Sequence, residues 1–485
     1  MWLAPGAVYE VSIYEKRGLS HLVRPSLGGP SSPQDVRYSL AHFPATYGTT
    51  GGKLFREKRV GEMRLPDVWV TGVGVERKVS VASALIRNVR LLDGPVEGHW
   101  DVEIRESRLR DIRAHRQADS ATDIPVLDGG GMYLLPGLID LHVHLVWDGS
   151  PDPVEQLSKE STEQTLLRAI RHAWETLAAG VTTVRDLGSV DDLAIDLARA
   201  VERGDVVGPR IVPSGQTIIM TGGHDPFWGI MVDGPQEALK ATRRQVYRGA
   251  GVIKLSATGG VYGRTEGESV THTELNFDEI STITSEAHKL GVPVAAHAIG
   301  HAGIRNCVEA EVDTIEHGQQ LTPELANKLA AYGGALVPTL FVYRQIAQRT
   351  EVPEYARVKA KAILDEHKRA IEAAGAAIVR IGAGSDAGSP LTPHGSLIDE
   401  LMALADTGFS PLETLRCATC EAARIIGLDG EVGSIEPGFV ADLILVPQNP
   451  LEDLGHLRDV RAVWVGGRLV YSRFVSLKVE PSGGG

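Results

Sequence analysis

Between Leu134 and Asp386 short apolar runs alternate with longer helical patterns, and no other feature restricts the fold of this chain as much. The runs are Leu134–His144, Thr182–Asp186, Arg210–Pro213, Val252–Leu255, Val292–His297, Asp313–His317, Ala335–Pro338 and Ile381–Asp386. Helical patterns lie between them, such as Glu163 to Ala179, Asp278 to Leu290 and Tyr355 to Ala373. Repeated β–α units imply a parallel sheet covered on both faces, and eight of them suggest a closed (β/α)8 barrel of the TIM type, an α/β fold. An open doubly wound sheet is the rival. No glycine fingerprint for a dinucleotide stands at a first strand–helix turn, which weakens it.

Shorter β-like runs flank this middle. Ala84–Leu92, Trp100–Ile104, Arg108–Ile112 and Ile124–Leu127 precede it, and Ala441–Val446 and Ala462–Tyr471 follow it. The expected partition is a small β-sandwich formed by both chain ends (residues 81–135 and 431–475) around a barrel of residues 136–430. Residues 1–80 mix Gly, Pro, Ser and charge without steady periodicity, as in Gly28-Gly29-Pro30-Ser31-Ser32-Pro33. They read as a poorly ordered extension, and residues 476–485 as a flexible tail.

The net charge of −13 argues against nucleic acid and against an anionic membrane surface, because both need a basic face. No apolar run reaches the ~20 residues of a membrane helix. The first residues lack a basic segment followed by an apolar one, so no secretory signal is expected. Three cysteines cannot build a disulfide framework, and a reducing cytoplasm is the default. Cys417 and Cys420 have redox-like spacing inside a helical pattern, and a structural role is expected for both.

Chemistry concentrates at the ends of the apolar runs. His142 and His144 lie two apart on one strand, so both rings face the same way, roughly 6–7 Å apart along the chain. Lys254 sits inside the fourth run, His297 ends the fifth, His317 the sixth and Asp386 the eighth. In a parallel barrel these C-terminal ends meet at one face, where barrel enzymes build their sites. Any one of these residues has an ordinary structural explanation; the convergence of four histidines and an aspartate does not. An ammonium inside an apolar strand is costly, and desolvation favours the neutral amine. A neutral amine can add carbon dioxide to give an anionic carbamate able to bridge two cations.

With these residues in view, the sequence resembles the amidohydrolase superfamily. Pro136-Gly137-Leu138-Ile139-Asp140-Leu141-His142-Val143-His144 is similar to its first metal motif, and Gly433-Ser434-Ile435-Glu436-Pro437-Gly438 through Leu443 to its return to the sandwich. Met220-Thr221-Gly222-Gly223-His224, Val252 to Tyr262 and Ile315-Glu316-His317-Gly318 resemble the branch of imidazolonepropionase-related, prolidase-like dipeptidases and ochratoxin-hydrolysing amidases. The resemblance implies a binuclear site: His142 and His144 on the buried metal, His297 and His317 on the exposed one, and carboxylated Lys254 and a hydroxide bridging both. Asp386 would bind a metal and handle the proton, His224 would donate to the substrate carbonyl, and Tyr262 would hold a substrate carboxylate. Arg264 is a further candidate for that anion, although Tyr262-Gly263-Arg264 departs from the expected tyrosine followed by a small hydroxyl residue. His301 and His394 are expected to be structural.

The expected function is hydrolysis of amide C–N bonds, by a dipeptidase or N-acyl amino acid amidase acting on a small molecule. Zinc is the default metal for such a donor set. A cyclic-amide or carbamate hydrolase of the imidazolonepropionase kind is the alternative, and a barrel that binds metal without turnover is a third reading. Oligomeric state stays open, a homo-oligomer included.

Overall fold

The computed structural model describes residues 83–92, 98–116, 124–263 and 268–473, all within the unit Val79–Gly485. The expectations for residues 1–80 and 476–485, and the candidate Arg264, lie outside the described residues.

The fold is mixed α/β. Strands Leu138–Val143, Val181–Asp186 and Arg210–Pro213 form a three-stranded parallel sheet. A seven-stranded parallel sheet runs in the order Ile230–Val232, Ile218–Met220, Ile253–Ser256, Val294–Ala298, Thr314–His317, Ala335–Val337, Arg380–Ile381. Backbone bonds join the margins of the two sheets. Leu141 N donates to Ala383 O, Asp386 N to His142 O and Gly251 N to Pro213 O, at 3.0, 2.7 and 2.8 Å. Leu138–Val143, Val181–Asp186, Val294–Ala298 and Thr314–His317 are buried along their length, so they read as unbroken apolar runs rather than alternating ones.

Both ends of the described chain meet in a third sheet, eight-stranded and mixed. Its order is Arg468–Ser472, Ala462–Val465, Leu443–Val446, Tyr133–Pro136, Ala84–Leu91, Trp100–Arg105, Arg108–Ala114, with Val126–Asp128 pairing alongside Ala84–Leu91. One core cluster lies on this sheet, with Ile86, Val102, Ile104, Leu443 and Trp464 among its members. A larger one joins the parallel strands to their helices.

The run Leu134–His144 is two strands, not one. Tyr133–Pro136 pairs antiparallel with Leu443–Val446, whereas Leu138–Val143 pairs parallel with Val181–Asp186. Gly137 makes the crossing, where a Cβ would fall 2.1 Å from Thr182 Oγ1. The short strands Ile218–Met220 and Ile230–Val232 follow the third run and have no counterpart in the sequence reading. The helices fall where periodicity puts them: Thr162–Ala178 starts at a Ser161/Gln164 capping box and Phe277–Lys289 at an Asn276/Glu279 box.

Candidate metal centre and active site

The strand ends gather six expected residues round one cavity: His142, His144, Lys254, His297, His317 and Asp386. The rings of His142 lie 5.3 Å from His144 and 5.1 Å from His317, and His297 lies 4.7 Å from His317. One donor atom each from His142, His317 and Asp386 can be chosen so that all three lie within 4.8 Å of one another. Asp386 Oδ1 is 3.5 Å from His144 Nε2 and 3.8 Å from His142 Nε2. It also accepts Ser389 Oγ at 2.8 Å.

The outer nitrogen of each ring is committed. His142 Nδ1 meets Glu316 Oε2 at 2.8 Å, His144 Nδ1 the Gly188 carbonyl at 3.3 Å and His317 Nδ1 the Thr339 hydroxyl at 2.7 Å. His297 is held the other way round, with Nε2 at 3.3 Å from the Gly259 carbonyl. A ring nitrogen that donates to a carbonyl or carboxylate fixes the tautomer and leaves its partner with a bare lone pair. The donor set therefore presents Nε2 of His142 and His144, Nδ1 of His297, the His317 imidazole and a carboxylate. That fits a divalent cation.

Burial sets the charge states. It drives His142, His297 and His317 well below the usual imidazole range, with Lys254 or neighbouring imidazoles adding to the effect. His144 is pushed down to about 3 by burial and Lys254. The Lys254 amine is itself lowered by desolvation, against the pull of Glu316, Asp225 and Asp386. Burial raises the Asp386 carboxyl to about 7. Lys254 is 2 % exposed.

Other residues hold these in place, and the sequence reading passed over them. Arg185 donates to Glu316 Oε1 at 2.7 Å, to Thr314 Oγ1 at 2.9 Å and to the Leu141 carbonyl at 2.7 Å. Asp140 accepts Ser385 N at 2.9 Å, Ser385 Oγ at 2.5 Å and His142 N at 3.2 Å, tying the His142 strand to the segment that carries Asp386. Strand alternation was the available signal: Glu316 and Thr314 share one face of their strand.

His224 lies over His297, ring centroids 4.3 Å apart. Its Nδ1 is 2.8 Å from Glu268, which also accepts Gly260 N at 2.8 Å and Lys359 Nζ at 3.0 Å. Asp225 Oδ1 is 3.3 Å from its Nε2. Burial opposes charge on this ring, but Asp225 and Glu268 outweigh it and hold the imidazolium up to about 9. Tyr262 lines the cavity, and its hydroxyl donates to Asp152 while accepting Val154 N at 3.3 Å. His394 donates to the Trp147 carbonyl at 2.9 Å and stacks on His172, whereas His301 is exposed and starts the helix His301–Glu309. Cys417 is buried, Cys420 partly exposed, and both are free thiols.

Comparison with known proteins identifies the relatives. Residues 133–470 match the model of the amidohydrolase family. Ochratoxinase of Aspergillus niger is 30% identical over 388 residues, covering 73% of this chain and 77% of that protein. A solved Xaa-Pro dipeptidase with bound methionine in its active site is 30% identical with a TM-score of 0.73, covering 80% of this chain and 99% of its own. A prolidase complexed with N-methylphosphonate-L-proline is also 30% identical, with a TM-score of 0.74, covering 81% of this chain and all (100%) of its own.

Proposed function

Because this chain belongs to the amidohydrolase family and is a hydrolase of amide C–N bonds, we propose that it cleaves dipeptides or N-acyl amino acids at a binuclear metal centre. On this reading the two parallel sheets are arcs of one closed (β/α)8 barrel, residues 136–430. Residues 81–135 and 431–475 are its β-sandwich.

The observation that carries the proposal is the convergence of His142, His144, Lys254, His297, His317 and Asp386 on one cavity, with donor atoms of His142, His317 and Asp386 within 4.8 Å of one another. His142 and His144 would hold one divalent ion and His297 and His317 the other. Lys254, carrying carbon dioxide as a carbamate, would lie between them, and Asp386 would complete the set. Zinc suits these nitrogen and oxygen donors. When bound, such ions supply hydroxide at neutral pH and polarise a carbonyl.

The chain's own residues do the rest. Asp386 takes the proton of the attacking water and delivers it to the leaving nitrogen, which otherwise departs poorly as an amide anion. His224, fixed by Glu268, points its Nε2–H at the substrate carbonyl and stabilises the oxyanion. Tyr262, its hydroxyl turning from Asp152 to the substrate, is the proposed contact to a carboxylate on the leaving side, together with Arg264. Cytoplasmic location belongs to this proposal; among the described residues no helix is long and apolar enough to cross a membrane.

The resemblance to prolidase-like structures favours peptide-like amides over lactams and carbamates, the second reading. Amine release from dipeptides and N-acyl amino acids, each with a free or amidated C-terminus, tests the choice. Turnover restricted to free acids is expected. Turnover of lactams or carbamates alone would replace this reading with the second.

A further inference from the structure

We infer that Asp225 is the counter-ion for the free α-ammonium of the substrate, which makes dipeptides, rather than N-acyl amino acids, the substrate class. The inference rests on the proposed reading of the site and narrows it.

Asp225 follows His224 directly and lines the same cavity. Its φ is +63°, a left-handed backbone that asparagine, aspartate and glycine tolerate best. Its side chain is 8% exposed. Among the described residues its one ion pair is with His224 Nε2, at 3.3 Å.

The other carboxylates near the cavity are already in use. Glu268 accepts from His224, Gly260 and Lys359. Glu316 accepts from His142, Arg185 and Thr314. Asp386 faces His142 and His144 and belongs to the ligand group with His142 and His317, whereas Asp225 does not. Asp225 is thus the cavity carboxylate with acceptor capacity left over. A carboxylate in that position can accept a further charge-assisted hydrogen bond from a cation that reaches it.

Substrate geometry supplies the donor. The α-nitrogen of a dipeptide is bonded to the carbon next to the scissile carbonyl, so it lies about 3 Å from that carbonyl oxygen by standard bond lengths. That is close to the spacing between Asp225 Oδ1 and His224 Nε2, 3.3 Å. With the carbonyl oxygen on His224 Nε2–H, the ammonium of the same residue falls beside Asp225. The substrate then exchanges one ion pair for two matched contacts. An N-acyl amino acid brings a neutral group to that point and leaves the carboxylate with His224 alone.

The test compares alanyl dipeptides with the matching propionyl amino acids, which differ only by hydrogen in place of the ammonium, on zinc-loaded wild type and Asp225→Asn. Asparagine and, as a second variant, glycine both suit the left-handed backbone. Wild type should favour the free amine by about tenfold or more in kcat/KM, the scale of one charge-assisted hydrogen bond. The ratio should collapse toward one in both variants, through KM for the dipeptide, with metal content unchanged. Equal losses on both substrates would reduce Asp225 to a tether for His224, and loss of metal would make it a ligand; either overturns the inference while the amidase reading stands. Turnover of neither substrate series by wild type overturns that reading and this inference together.

Discussion

His317 and Asp386 show why strand alternation alone does not place a ligand. In the strand Thr314–His317, Thr314 and Glu316 face Arg185, so simple alternation would turn His317 away from them. Its φ of +71° leaves the β region and brings the ring back to the cavity; Asp386, at +57°, makes the same departure. Non-glycine residues in that region are sparse and gather at functional sites. The sequence displayed His317 as a strand-end histidine but not the twist that aims it. Nor did it display Glu316 as the partner of His142, because the two lie 174 residues apart. Glu316→Gln should keep the fold and weaken zinc binding by about 10–100-fold, the usual effect of removing a carboxylate behind a metal-binding histidine. Chelator competition measures this, and an unchanged affinity would show that Glu316 only fills space beside Arg185.

At the scale of elements, the site depends on segments that touch it from behind. Gly260 precedes Val261 and Tyr262 on the cavity wall, and a Cβ there would fall 2.0 Å from His224 Cε1. Gly260→Ala must displace the His224 ring. It should lower kcat/KM by about a hundredfold, since a misplacement of roughly 1 Å costs that much, while the unfolding midpoint barely moves. A variant as active as wild type would remove His224 from the carbonyl contact.

The helix Thr162–Ala178 contributes His172, which donates to the Leu145 carbonyl at 2.8 Å and stacks on His394 at 4.2 Å. Together they brace the loop that follows His144. Burial lowers His172 to about 4 and His394 to about 3. Both folded values lie below the unfolded value of about 6.5, so the unfolded chain takes up protons first as pH falls. The stabilisation is fully present above about pH 6.5 and is lost progressively as pH falls toward 4 for His172 and toward 3 for His394. Urea unfolding at stepped pH should show this acid slope, and His394→Gln should flatten it. An unaltered slope in that variant would assign the acid sensitivity elsewhere. Neither the stacked pair nor its carbonyl partners were legible beforehand, because 222 residues of chain separate two rings that only the tertiary fold brings together; His394 read simply as structural.

For the whole molecule, the alternation of apolar runs and helical patterns was enough to recover eight of the ten parallel strands. Fully buried strands advertise themselves as continuous apolar runs, and capping residues mark the helix starts. The pairing of both ends of the described chain in one mixed sheet was also legible, from β-like runs on either side of the middle. What stayed hidden was the break at Gly137 and the two short strands after Pro213, where pairing is decided by contacts between distant segments. Likewise the six cavity residues were readable as metal-binding types, whereas Arg185, Asp140 and Glu268, which orient and charge the site, act through long-range contacts.

The most direct test of a binuclear amide hydrolase is amine release by metal-stripped protein as zinc is restored in measured steps. Activity should be absent at the start and climb to a plateau at two zinc ions per chain. Full turnover by the stripped protein, or zinc uptake at the cluster without any rise in amide hydrolysis, would contradict the proposed centre.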